Sequence, residues 1–324
     1  MAAFEQYQQQ YLLKEYSNLP RGRYVSLFII RKTESETIFR TEGSGEELVK
    51  ETVSAGLADI TLVRRVVISK RKQTAVERRK GREFLHEHGL LKTNKDGKIC
   101  KLNTNAPCEK CIDCYLYGFA AGGNGAQKSR VLTDDAYSLG TVAQVAARRT
   151  FNATFDNGTM RDPETGEASR SINPDEYVRP QTHFLDIETL KDVTLPELQY
   201  VIGNIVRSDR YGAISSRMGR VKNRIVAVAF SDCELFSNLE LTQAVHDLLK
   251  PANEDELPFP LADEAVERAV SSAIDKLITG VFSRKPVLLT GEILQTELNG
   301  VAALYYEPER MVAALRALSD SYDR

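Results

Sequence analysis

The 324-residue chain has no tryptophan and only four histidines, His86, His88, His183 and His246. The histidines are scattered and suggest no hydrolytic triad. Long apolar runs are missing as well. The longest, such as Val25–Ile30 and Ile225–Phe230, are far too short to span a bilayer. The N-terminal residues MAAFEQYQQQ are polar and lack a signal-peptide core, which predicts a cytoplasmic protein with no membrane partner. No repeat of fixed period and no long low-complexity tract occurs, which speaks against a solenoid. What remains is an apolar fraction of 42%, enough for a core, over a length that suits one large or two modest domains.

Net charge is also nearly absent, at −2, but the balance hides a split. Residues 1–230 carry 35 basic and 28 acidic side chains, whereas residues 231–324 carry 8 basic and 17 acidic ones. The stretch 61–101 alone holds 13 basic and 4 acidic residues. Clustering on this scale predicts a polyanion partner or an oppositely charged neighbour more than a merely solvated surface.

Arg23–Lys32, Thr61–Ser69, His183–Leu190 and Asn223–Phe230 are β-rich runs that predict strands, and Thr37–Arg40 is placed to pair with the first. Helical composition marks Glu46–Val53, Gln73–His88 with Gly89 as its stop, Leu195–Asp209 beside Pro196, Asp263–Phe282 and Pro308–Leu318. Thr150–Pro180, rich in Asn, Asp, Gly, Pro and Arg, predicts an inserted hairpin or mobile loop. The class is α+β, and a ferredoxin-like, RNA-recognition-type core with large insertions fits the order of elements.

Four of the five cysteines fall within fifteen residues, as Cys100, Cys108, Cys111 and Cys114. Thiolates on short polar loops with two-residue spacers suit a tetrahedral zinc site that organises a segment lacking its own core. Four thiolates leave no water position, so the expected zinc is structural. Disulfides, an iron–sulfur cluster and free thiols are the alternatives. His86 and His88 read as surface residues of the preceding helix, and Cys233 as a small buried residue.

Lys70, Arg71, Lys72, Arg78, Arg79, Lys80 and Arg82 form the densest basic run, and a helix carrying them offers a face for phosphates. A second run, Arg207–Arg224, has six basic residues and one aspartate. There Gly212 and Gly219 permit close backbone approach, and Ser215 and Ser216 offer hydroxyls. Arg207, Arg210, Arg217, Arg220 and Lys222 supply charge, and Tyr211 offers a ring to stack on a base. The insertion opens with Arg148 and Arg149 and carries Phe151 and Phe155, residues suited to wedging between bases or clasping a neighbouring subunit. GGNGAQKS lacks the Gly-Lys of a phosphate loop, and the aromatic octamer of ordinary RNA-recognition domains is missing. The acidic pairs Asp134/Asp135 and Asp186/Glu188 have the chemistry to hold magnesium, although such pairs are commonly surface or capping residues.

Three segments together resemble one family. Cys111-Ile-Asp-Cys114-Tyr-Leu-Tyr-Gly118, Arg130-Val-Leu-Thr-Asp-Asp-Ala-Tyr137 and Arg210-Tyr-Gly-Ala-Ile-Ser-Ser-Arg-Met-Gly219 are similar to the crRNA-binding backbone subunit of type I-D CRISPR interference (Cascade) complexes, of the RAMP superfamily. The resemblance spans roughly residues 20–320. It implies a palm over 20–69 and 181–250, joined by a connector at 131–149. A basic zinc-binding region would be inserted at 70–130 and a thumb at 150–180, with an acidic helical part at 251–324. It further implies head-to-tail copies along a guide crRNA, contacts with other effector subunits, and a guide presented for pairing with target DNA or another single strand. The 207–222 residues and the thumb would grip the guide, and the 70–82 run would face target DNA. Related type III subunits cut RNA with an aspartate after the first strand. Lys32–Gly45 holds Glu34, Glu36 and Glu42 but no aspartate, which favours a non-cleaving scaffold.

Two other functions compete. One is a metal-dependent nuclease using Asp134, Asp135 or the loop glutamates. The other is a zinc-containing interaction module without nucleic acid. The charge split also suggests that Asp263, Glu264 and Glu267 meet the basic face of an adjacent copy.

Overall fold

The computed structural model describes residues 2–39, 48–104, 106–121, 125–152, 154–168, 172–213, 216–254, 256–282 and 284–322. Its elements begin with α1 (Ala2–Tyr11), β1 (Tyr24–Thr33), β2 (Lys50–Ser54), β3 (Leu62–Ile68), α2 (Lys70–Glu87) and α3 (Ile112–Tyr117). They continue with β4 (Phe119–Ala121), β5 (Gly125–Gln127), β6 (Val131–Thr133), β7 (Ala136–Ser138), α4 (Val142–Val145), β8 (Ala146–Asn152), β9 (Ile172–Val178) and β10 (His183–Lys191). The last are α5 (Leu195–Val206), β11 (Val221–Ser231), α6 (Asn238–Leu249), α7 (Asp263–Ile278), β12 (Val287–Leu289), α8 (Gly291–Tyr306) and α9 (Glu309–Ser321).

β1 is buried without a break from Val25 to Arg31, as a strand covered on both faces must be. It lies between β10 and β11 and runs antiparallel to both. The full sheet runs β12-β11-β1-β10-β7-β3-β2, with β6 also pairing with β10. Helix α5 carries the chain from β10 over β1 to β11. Helix α2 lies between β1 and β6 in sequence, and β10 is flanked by β1 and β6 in the sheet. Phe84, Leu85, Leu198, Val201 and Ile202 of these helices pack on Val25, Leu27 and Ile29 on one face of the sheet. On the other face Phe28, Ile30 and Leu185 meet Leu241 and Val245 of α6 and Val266 and Val270 of α7.

The boundaries of α5 follow from its caps. Thr194 and Glu197 form a reciprocal capping box that spans Pro196 in the first turn, and the helix ends before Arg207. Other expectations need correction. Lys50–Ser54 is a strand against β3, because Val53 pairs with Val63 and Val66 with Lys50, so no helix forms there. Thr37 and Ile38 bridge Val178 and Ala213, not β1. Arg40 and Glu42 lie outside the described residues. The predicted hairpin is present as β8 paired with β9, from Ala146↔Val178 to Asn152↔Ile172.

Candidate nucleic-acid interface and metal centre

Beneath α2 the sheet carries a closed set of charges. Arg31 is fully buried and lies 2.9 Å from Glu77, 2.6 Å from Asp186 and 2.8 Å from Glu188. Lys70 pairs with Asp186, Gln73 donates to both strand carboxylates, and Asn238 Nδ2 donates to Asp186 at 2.9 Å. Burial acts to raise the Asp186 pKa, but Lys70 and Arg31 outweigh it and hold the carboxyl well below its usual range. Glu77 goes the other way: burial, with Glu188 nearby, pushes it well above. Asp186 and Glu188 are thus committed to Arg31 and Lys70 rather than to a surface or a magnesium ion. Asp135 also has a local task, since its Oδ1 accepts the Lys70 backbone N–H at 2.9 Å where α2 starts.

The same cluster anchors the glycine-bearing loop. Tyr211, expected to stack on a base, is only 2% exposed. Its hydroxyl donates to Glu77 at 3.1 Å and accepts from Asn223 at 2.8 Å and Arg31 at 3.2 Å. The ring is a peg, and burial raises its pKa well above the usual value. Tyr211 N donates to Gly219 O at 2.8 Å and Arg210 bridges Arg220, which closes the loop. Gly212 has φ +82°, and a Cβ there would fall 2.3 Å from Ile38 O. Ala213 N donates to Ile38 O and Gly219 N to Glu36 O, each at 2.8 Å. With the backbone so pinned, Arg210, Ser216, Arg217, Arg220 and Lys222 are exposed. Ser215 lies outside the described residues. Arg207 is exposed at the end of α5 and stacks 4.6 Å from the Tyr305 ring centroid.

α2 divides its cations between two sides. Lys70 points inward to Asp186. Arg78 makes a two-pronged contact with buried Asp113, at 2.8 and 2.9 Å, and Arg82 reaches the same carboxylate at 2.6 Å. These three are not on an open phosphate-facing surface, which corrects the expectation for them. Lys80 pairs with Glu83 in the open. Arg71, Lys72 and Arg79 line a recess of about 280 Å³ together with Ser69, Asn103 and Gly212. Gly212 of the second basic run thus borders a concave surface lined by three cations of the first.

The β8–β9 hairpin adjoins that surface through residues 35–39. Thr37 and Val178 exchange backbone hydrogen bonds, and Arg149 pairs with Glu36 and lies 5.5 Å from the Tyr177 ring centroid. Arg148 is mostly exposed and lies 3.3 Å from Glu176. The Phe151 side chain is outside what is described. Phe155 is half-buried in a turn where its N–H donates to Thr159 O.

The four cysteines converge. Cys100, Cys108, Cys111 and Cys114 are buried, with sulfurs all within 4.8 Å of one another. Cys114 Sγ lies 3.7 Å from Cys100 Sγ and 3.8 Å from Cys108 Sγ. A tetrahedral thiolate site with Zn–S bonds of about 2.3 Å has S···S edges of about 3.8 Å, so this donor set fits a metal ion. Neighbouring thiols hold Cys100 far below its ordinary pKa and push Cys111 far above, as expected where sulfurs compete for protons a metal would displace. Arg82 donates to the Cys100 carbonyl, tying the cluster to α2. Neither His86, His88 nor Cys233 joins it. Among the described residues no other His, Cys, Asp or Glu group has this convergence.

Two acidic residues expected to face a neighbour are used within the chain. Asp263 lies 2.9 Å from both Lys32 and His183, and Glu267 pairs with Arg224. Glu264 is exposed.

A family model described as Csc2 Crispr matches residues 11–315. The fold is similar to that in a crystal structure of Thermofilum pendens Csc2, with a TM-score of 0.64 and 19% identity over 97% of this chain and 91% of that one. It is also similar to a chain of a CRISPR RNA-guided surveillance complex in a pre-nicking state, with a TM-score of 0.51 and 9% identity over 83% and 92% of the two chains. No curated protein matches the sequence. Among the described residues no helix is long and apolar enough to cross a membrane.

Proposed function

The chain belongs to the Csc2 CRISPR family, and from that premise we propose that it is the guide-RNA-binding backbone subunit of a type I-D effector complex. One observation carries this reading: the anchored loop that exposes Arg210, Arg217 and Arg220 reaches, at Gly212, a recess lined by Arg71, Lys72 and Arg79 of α2. The pinned backbone presents Arg210, Arg217, Arg220 and Lys222 without choosing a base. That suits a protein that accepts any guide sequence and relies on phosphate contacts. The β11-β1-β10-β6 order with α2 and α5 as crossovers supports reading the sheet as a ferredoxin-like palm. In the same reading the β8–β9 hairpin is the thumb, and Arg71, Lys72 and Arg79 face the target strand. Copies then stack head to tail on the guide beside other effector subunits, and the exposed bases pair with target DNA in antiviral defence. The cysteine cluster holds one structural zinc ion that shapes the segment between α2 and β4.

Removing Arg217 and Arg220 together by alanine substitution tests the surface. Binding of an unstructured single-stranded RNA should weaken more than about tenfold. The log–log salt slope should become shallower by roughly 0.7 for each phosphate that is no longer neutralised. An unchanged slope contradicts the assignment.

A further inference from the structure

The outer edge of β11 is only partly covered. Its register with β1 shifts between Phe28 and Ile29, leaving Val226 as an extra residue. Past that bulge, β12 pairs with Val228, Ala229 and Phe230. At the other end Val221 N donates to Asp209 O at 2.9 Å. Between these points Lys222–Ile225 pairs with β1 on one side and, among the described residues, with no strand on the other. A row of unpaired peptide groups of this kind is a template for a further strand.

What borders the edge points to the same kind of occupant. Two adjoining cavities open along it, of about 450 and 380 Å³. The larger is bounded by Val206 of α5 and by Val301 and Tyr305 of α8. The smaller is bounded by Ile274 of α7, Leu288 of β12 and Leu294 of α8. Ile225 and Leu298 line both. Successive side chains of an extended peptide point to opposite faces. A strand laid on Lys222–Ile225 would therefore send alternate residues into the two apolar cavities. The charge at the rim selects further. Arg207, Arg224 and Arg268 border the cavities, and the one acid among the lining residues, Glu267, already pairs with Arg224.

We propose that the outer edge of β11 is a docking site for an extended acidic peptide strand of another protein chain, held by strand addition with alternate apolar side chains in the two cavities. The site adjoins the proposed guide-RNA residues at Arg207 and Lys222 and does not rest on that reading.

Hydrogen–deuterium exchange on the full chain tests it, with the capped hexapeptide Glu-Val-Val-Val-Val-Glu as probe, whose central residues reach both cavities and whose ends reach the rim arginines. Residues 222–226 should gain about tenfold protection from exchange at millimolar peptide. A version with lysine for glutamate should bind about tenfold more weakly, and one with a central proline should give no protection. Leu298→Arg should abolish the effect, and the surface change Arg268→Glu should weaken it, while RNA binding and the thermal midpoint of R268E stay as in the parent. No added protection, equal protection by the lysine peptide, or protection by poly-uridine RNA in place of peptide would each overturn the proposal. The last result would assign the cleft to nucleic acid.

Discussion

Arg31, Glu77, Asp186 and Glu188 meet in a space that water does not reach, and their protonation follows from that. Two cations, Arg31 and Lys70, face three carboxyls, so one carboxyl is best left neutral, and burial with Glu188 nearby selects Glu77. The folded pKa of Glu77 is raised above its unfolded value. The stability this group contributes is therefore present below the unfolded pKa and is lost as pH rises toward the folded one. Glutamine keeps the neutral form at every pH. Glu77→Gln should gain on the parent between pH 5 and 8, by at most about 1.4 kcal/mol per pH unit. Urea midpoints across that range check the sign, and a pH-independent difference would contradict it. Part of this cluster was legible in the sequence as the pair Asp186 and Glu188, whose alternation in a strand resembles a solvent-facing edge. What residue spacing cannot convey is that α2 lays Lys70, Gln73 and Glu77 over that face.

At the scale of elements, α2 was the most legible helix and its charges were the least. Composition marked its length and Gly89 marked its stop, but seven cations in a row say nothing about which face is buried. The structure turns Lys70, Arg78 and Arg82 inward and leaves Arg79 exposed. Substitutions should separate accordingly. Arg79→Ala with Lys72→Ala should weaken single-strand binding without moving the thermal midpoint. Arg82→Ala should cost about 1–3 kcal/mol of stability, because buried Asp113 loses a charged partner. Equal effects of the two changes on stability would refute this division. The cysteine element was readable from spacing alone, since thiolates at these intervals have few uses in a polar segment. Metal analysis should find about one zinc per chain. Cys111→Ser should lose stoichiometric metal and lower the thermal midpoint, whereas retained metal would remove Cys111 from the ligand set.

For the whole molecule, the near-zero net charge concealed a basic surface in two parts, the recess lined by Arg71, Lys72 and Arg79 and, meeting it at Gly212, the loop that exposes Arg210, Arg217 and Arg220. The split between the two parts of the chain was visible in the sequence, but its meaning was not. Asp263 and Glu267 answer Lys32, His183 and Arg224 of their own chain, so part of the asymmetry is internal neutralisation. Strands β1, β3, β10 and β11 were legible as apolar β-branched runs. Helices α1, α6 and α8 were not, because their apolar residues gain meaning only against Phe230 and Phe28, which the sheet brings to them. The central claim is that this surface exists to hold guide RNA. Purifying the chain from cells that carry its CRISPR array and sequencing the retained RNA tests it most directly. Repeat-derived guide RNA is the predicted result, and a nucleic-acid-free protein, or RNA without repeat sequence, would contradict it.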